Sequence, residues 1–88
     1  MYTLIVRQGC HLCEQAEISL AQLESETGLA WQTVDIDSDP ALAKYTNDLP
    51  VLLEGGKVKA ILTSSKAALA KATRPTLLGR IKSSLHLN

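Results

Sequence analysis

A strand-like run, a helix-like run and a second strand-like run follow one another within residues 2–37, and that order restricts this chain more than any other feature. Residues 2–7, Tyr-Thr-Leu-Ile-Val-Arg, are β-branched and apolar, as a buried parallel strand is, and Gly9 breaks the run. From residue 13 to residue 27, a turn of about 100° per residue gathers Leu12, Cys13, Ala16, Leu20 and Leu23 on one face, opposite Glu14, Gln15 and Ser25. Gly28 ends this helix. Residues 30–37, Ala-Trp-Gln-Thr-Val-Asp-Ile-Asp, return to strand composition. The span has the size of a βαβ unit, whose crossover is right-handed and whose strands are parallel.

The remainder extends that unit. Asp39 before Pro40 reads as an N-cap with proline at the first helical position, which predicts a short helix over residues 40–46. Residues 51–54 and 57–62 flank Gly55-Gly56, and two glycines supply the positive φ that a tight hairpin turn requires. The pair is therefore antiparallel, and Lys57 and Lys59 alternating with Val58 suit an exposed edge strand guarded by charge. Ser64 or Ser65 can cap a helix over residues 66–72, the alternative being an ordered loop, and Arg74-Pro75 interrupts before a final helix over residues 75–87. The expected order is β-α-β-α-β-β-α: an α/β fold with a four-stranded mixed sheet flanked by helices.

An 88-residue chain makes one domain with one site. Nine basic residues balance nine acidic ones, so nothing attracts a nucleic acid or an anionic membrane, and the expected form is a monomer. No run approaches the roughly 18 apolar residues of a membrane span, and no secretory leader pattern opens the chain, so the expected location is the cytoplasm.

Two cysteines three positions apart close too small a loop to staple a secreted fold. A working dithiol in a reducing compartment suits them better. A structural zinc site needs four ligands, and only His11 and His86 are available beyond the cysteines. No metal site is expected. Glu14 follows Cys13 where covalent haem attachment needs histidine.

Cys-x-x-Cys between a strand and the helix after it is an arrangement for thiol exchange. Cys10 stands ahead of the helix, where free N–H groups and the positive dipole end lower a thiol pKa from about 8.5 into the range of roughly 3.5 to 7.5. Cys10 is thus the attacking sulfur, and Cys13, on the core side one turn later, the resolving one. A fall in pKa from about 8.5 to about 7 raises the thiolate fraction roughly 15-fold at neutral pH, and a Brønsted slope near 0.45 takes back about five-fold. Placement therefore outweighs acidity, by supplying orientation and a good leaving group. His11 either stabilises the thiolate when protonated or is an exposed residue at the helix start. Asp35, Asp37 and Asp39 read as strand-end and capping residues rather than as metal ligands.

The run Val-Arg-Gln-Gly-Cys-His-Leu-Cys, followed by Val-Asp-Ile-Asp-Ser-Asp-Pro and Tyr-Thr-Asn-Asp-Leu-Pro-Val-Leu, resembles glutaredoxin-like members of the thioredoxin superfamily over residues 2–62. The resemblance implies a thioredoxin-like fold and a thiol-disulfide oxidoreductase that reduces protein or low-molecular-weight disulfides through Cys10 and Cys13. It also implies that Pro50, heading the third strand, is cis and faces the dithiol, and that the Leu49 backbone offers hydrogen bonds to a bound peptide or glutathione. Arg7 occupies a place where glutaredoxins often carry a lysine that meets a glutathione carboxylate, so Arg7, His11, Leu49 and Pro50 are the implied substrate-binding residues. No resident cofactor is implied, and glutathione is the candidate co-substrate. Two departures are visible: His11 and Leu12 replace the usual Pro-Tyr, and Thr63, Ser64 and Ser65 follow Leu62 where a Gly-Gly-x-Asp-like stretch is usual. Two alternatives stay open. In one, Cys10 thiolates of two chains bridge an iron–sulfur centre with external thiols, as in some glutaredoxins. In the other, the domain binds partners without catalysis.

Overall fold

In the computed structural model, which describes residues 1–74, strand β1 (Tyr2–Val6) leads into helix α1 (His11–Thr27) and strand β2 (Trp31–Asp35). Two 3-10 segments, Ile36–Ser38 and Pro40–Tyr45, precede strand β3 (Val51–Glu54), strand β4 (Lys57–Ile61) and helix α2 (Lys66–Thr73). The sheet order is β2-β1-β3-β4. β1 pairs with β2 in parallel, as the βαβ reading requires, and β3 is antiparallel to both β1 and β4. The first strand, the third strand and the hairpin therefore place the end of β1, the start of α1, the start of β3 and the end of β4 at one end of the sheet.

Alternation along β1 sends Leu4 and Ile5 to opposite faces. Leu4 and Tyr2 meet Leu52 of β3, Ala16, Leu20 and Leu23 of α1, and Leu69 of α2. Ile5 meets Val51, Ile36, Leu49 and Cys13, with Val34, Leu42 and Tyr45 against them. Each fully buried leucine of the first cluster contributes roughly 1.5–3 kcal/mol through the water it leaves. Between helices, Lys66 of α2 pairs with Glu26 of α1, and buried Ser19 donates to the Ser64 carbonyl at 2.7 Å. Tyr2 Oη donates to the Thr73 carbonyl at 3.2 Å, tying β1 to the last turn of α2.

Several boundaries differ from expectation. α1 starts at His11 rather than residue 13, because the Cys10 sulfur caps it. At its other end Gly28, at φ 77°, donates its N–H to the Glu24 carbonyl at 2.9 Å. β2 stops at Asp35, whose carboxylate accepts from the Asp37 N–H at 2.8 Å and turns the chain into the first 3-10 segment. Asp39 caps the second segment through the Ala41 N–H at 2.9 Å, as the Asp-Pro pair indicated. That segment is 3-10 and not the expected α-helix: Leu42 N–H bonds Asp39 and Thr46 N–H bonds Ala43, both three residues back. Six residues, opened by a proline and none of them fully buried, gain too little packing to offset α-helix nucleation. Residues 66–73 are a helix, capped by Ser65 through the Ala68 N–H at 3.2 Å. The final helix expected over residues 75–87 lies outside the described residues.

Candidate functional site

The site is built at the junction of β1 and α1. Cys10 has extended backbone (φ −87°, ψ 107°), its carbonyl accepts the Glu14 N–H at 3.0 Å, and its sulfur accepts the Cys13 N–H at 3.2 Å. Extended geometry with a side-chain acceptor is what an N-cap requires, and here sulfur fills the role usually given to oxygen. Cys10 N–H donates in turn to the Arg7 carbonyl at 3.1 Å, which fixes the turn out of β1. The two cysteines are joined as a disulfide, with Cα atoms 5.2 Å apart.

The partners sit in different surroundings. Cys13 is 1% exposed among Ile5, Ile36, Leu49 and Val51, while Cys10 is half-buried and packs on the edge of that cluster. The Leu49–Pro50 peptide bond is cis, both residues are buried, and Leu49 packs in the same cluster as Cys13. The β1–β3 ladder ends with Ile5 opposite Val51, so Leu49 lies one residue beyond Pro50 and outside the paired residues. The Pro50 carbonyl instead accepts from Leu62 N–H at 2.9 Å, and the Asp48 carbonyl accepts from the same N–H at 3.0 Å.

Charged groups at this end face one another. Arg7 Nη2 lies 3.8 Å from Asp37 Oδ1, both solvent-exposed. His11 points outward, its Nδ1 4.0 Å from Glu14 Oε1 and its Nε2 3.2 Å from Gln15 Nε2. Cys10, Cys13, Leu49 and Pro50 are thus gathered into one place, whereas Arg7 and His11 stand at its rim with acidic neighbours. Asp35 and Asp39 are engaged as caps, and among the described residues no three His, Cys, Asp or Glu side chains converge in a metal-binding group.

Leu12 was placed on the core face by the helical wheel and is instead 40% exposed. It lies in the first turn, at the end of the sheet where the strands stop. Ile36, Leu42 and Tyr45, which cover the dithiol side, belong to a segment with no strong periodicity, and only their apolar character marks them. Leu62 leaves β4 with φ 54°, a conformation leucine rarely adopts and no sequence signal announces.

A family model described as "Glutaredoxin-like domain" matches residues 2–78. The chain belongs to the glutaredoxin-like family. Uncharacterized proteins of Mycobacterium tuberculosis and Mycobacterium bovis are 37% identical to it over 60 residues, covering 61% of this chain and 62% of theirs. The chain thus spans less than two thirds of the length of these curated relatives. An X-ray structure of a structural-genomics target from X. campestris superposes with a TM-score of 0.67 at 33% identity, covering 81% of this chain and 92% of that one. A solution structure of a Nitrosomonas europaea protein gives 0.65 at 25% identity, covering 80% and 86%. The holo form of glutaredoxin C1 from Populus tremula x tremuloides gives 0.50 at 21% identity over 94% and 84%, a likeness of fold. A Cys-x-x-Cys pair in a glutaredoxin-like fold supports a thiol redox function. No helix among the described residues is long and apolar enough to cross a membrane.

Proposed function

We propose that this protein is a thiol-disulfide oxidoreductase that reduces protein or low-molecular-weight disulfides. The observation that carries the reading is the division of labour in the pair: a half-buried Cys10 whose sulfur accepts the Cys13 N–H, and a Cys13 that is 1% exposed one turn deeper. A Cys10 thiolate keeps that hydrogen bond and the positive end of α1 as stabilisation. It attacks one sulfur of the substrate disulfide; a Cys10–substrate bond forms, the substrate bond breaks, and the departing thiolate takes a proton. The Cys13 thiolate then attacks Cys10 sulfur and expels the second substrate thiol. Two electrons leave the dithiol, which ends as the Cys10–Cys13 disulfide, and an external thiol such as glutathione returns them.

Leu49 supports the reading by setting backbone that lies outside the β1–β3 ladder next to the dithiol, where an extended substrate can lie. Arg7 is the available anchor for a substrate carboxylate, in competition with Asp37. At 3.8 Å and exposed on both sides, that pair contributes at most about 1 kcal/mol, so a ligand carboxylate can displace it. A reducing cytoplasm keeps such a dithiol in its working form.

The test is a titration of the Cys10–Cys13 couple in glutathione redox buffers, with the oxidised fraction read as the mass added by alkylation. A single reversible two-electron transition is expected. A pair that stays reduced, or stays oxidised, across the whole range of buffers contradicts the proposal.

A further inference from the structure

The sheet has two edges, β2 and β4, and they are built differently. β4 carries Lys57 and Lys59, both exposed, and its pairing with β3 shifts register between Leu52 and Leu53, so that Lys59 falls between the paired residues Val58 and Ala60. Lysine and a bulge are the means by which an edge strand resists further pairing. β2 has neither. Its residues, Trp-Gln-Thr-Val-Asp, include no lysine, arginine or proline, and its register with β1 runs without a shift from Trp31 opposite Tyr2 to Asp35 opposite Val6.

The ladder to β1 sets which groups of β2 are free. Tyr2 N–H donates to the Ala30 carbonyl at 3.0 Å. In a parallel pair alternate residues bond the neighbour, so Ala30, Gln32 and Val34 turn their N–H and C=O groups toward β1, and Trp31, Thr33 and Asp35 turn theirs to the open edge. Among the described residues no backbone group bonds to them there. The Asp35 carbonyl accepts the Ser38 hydroxyl at 2.6 Å, which leaves that oxygen a second lone pair.

Such an edge matches a copy of itself. Two β2 strands set antiparallel about a twofold axis at Thr33 place Thr33 opposite Thr33, Gln32 opposite Val34 and Trp31 opposite Asp35. Every outward residue then meets an outward residue, and their N–H and C=O groups exchange hydrogen bonds. Asp35, the charged residue of the strand, lies opposite an indole, and its two copies stand about 14 Å apart along the pair, beyond the screening length of about 8 Å at physiological salt. The same operation about Lys59 of β4 sets lysine directly opposite lysine, about 5 Å away.

We propose that β2 is a self-association edge, through which two copies of this chain pair antiparallel along Trp31–Asp35 into one continuous sheet. The partner is a second copy because the free backbone groups and the charge of this edge complement themselves, and the dimer departs from the monomer expected from composition. β2 runs parallel to β1, so the twofold axis sends the Cys10 ends of the two protomers in opposite directions and leaves both dithiols open. The contact is short, which makes the dimer weak and dependent on concentration.

The experiment is sedimentation equilibrium of the full chain from about 1 μM to about 1 mM, with reductant present so that no disulfide joins the copies. The mass is expected to rise from monomer toward dimer over that range, and hydrogen exchange at the Trp31, Thr33 and Asp35 amides is expected to slow with it. Thr33 is exposed, so Thr33→Lys and Thr33→Glu are expected to keep the fold, with circular dichroism as the check. Each sets like charges across the axis and is expected to weaken association about tenfold or more, whereas an equimolar mixture of the two restores it, because the charges then attract. Val58→Lys, on the exposed face of β4, is expected to leave association unchanged. A parent protein that stays monomeric at the highest concentration overturns the proposal. So does a dimer whose β2 amides exchange as fast as in the monomer, a result read on the unaltered chain whether or not the variants fold. Folded Thr33 variants that associate as the parent does, a mixture of them that fails to associate, or loss of the dimer in Val58→Lys overturns it equally.

Discussion

Alkylation of the reduced protein is expected to modify Cys10 well before Cys13, and the structure sets the size of the difference. Iodoacetamide can reach the Cys10 sulfur as it stands at the cap of α1. Cys13 is 1% exposed, and reaching it means opening the first turn of the helix. That opening breaks the Glu14 N–H bond to the Cys10 carbonyl (3.0 Å) and the Cys13 N–H bond to the Cys10 sulfur (3.2 Å). At about 0.5–1.5 kcal/mol net for each bond, the opening costs about 1–3 kcal/mol, before any apolar contact of Cys13 is counted. Each 1.4 kcal/mol is about a factor of ten, so Cys13 should lag by about 5- to 150-fold from protection alone. The assay is a quenched time course at near-neutral pH on protein freed of reductant, with digestion and mass spectrometry assigning the modified cysteine. Equal labelling of the two cysteines at early times refutes the assignment of attacking and resolving roles.

Tyr2→Phe removes the hydrogen bond to the Thr73 carbonyl and is expected to cost about 0.5–1.5 kcal/mol in urea unfolding at neutral pH. Burial first, and then the charge of Glu54, push the Tyr2 phenol above its ordinary pKa, so the fold favours its neutral form. The Tyr2 contribution is therefore fully present below about pH 10 and lost as pH rises through the folded value; a deficit in Tyr2→Phe that stays constant through alkaline pH contradicts this. Leu62→Gly is expected to raise stability by about 0.5 kcal/mol, since relief of about 1–2 kcal/mol of left-handed strain exceeds the roughly 0.5–1 kcal/mol entropic cost of glycine, and thermal unfolding checks the sign. In a glutathione-coupled reductase assay with Cys10→Ser as the blank, turnover of glutathionylated substrate is expected about 10- to 150-fold below a dithiol glutaredoxin measured alongside. The hydroxyls of residues 63–65 are internally engaged, and one missing anchor to a charged end costs about 1.5–3 kcal/mol. Turnover equal to the reference shows that other groups hold the γ-glutamyl end.

The parts legible in the sequence are those in which one residue type has one physical use. Gly55-Gly56 meant a hairpin because both positions take positive φ, and the chain turns there at 57° and 83°. Asp39-Pro40 meant a cap and a helical first turn, and the carboxylate does accept the Ala41 N–H. The placement of Cys10 and Cys13 followed from β1 and α1 being adjacent, with no tertiary contact needed to fix it. The 3-10 character of Pro40–Tyr45 was less accessible, because α and 3-10 turns share the same caps and differ only in how much packing rewards a longer hydrogen-bonded ladder. Leu12 shows the same limit. A helical wheel assigns an angle to a residue, but its burial depends on what packs over that face: in the first turn of α1 Cys13 meets Ile5 and Val51, while Leu12 stays 40% exposed.

Leu62 marks where local reading ends. Nothing in Ile-Leu-Thr-Ser-Ser asks for a left-handed backbone; a propensity argument extends β4 through residue 62. The conformation arises from two carbonyls, of Asp48 and Pro50, that converge on one N–H from a segment twelve and more residues earlier. A glycine there would satisfy the same hydrogen bonds at lower conformational cost. A leucine in that position keeps the backbone geometry and adds an exposed apolar side chain at the edge of the dithiol. Stability alone does not account for such a side chain.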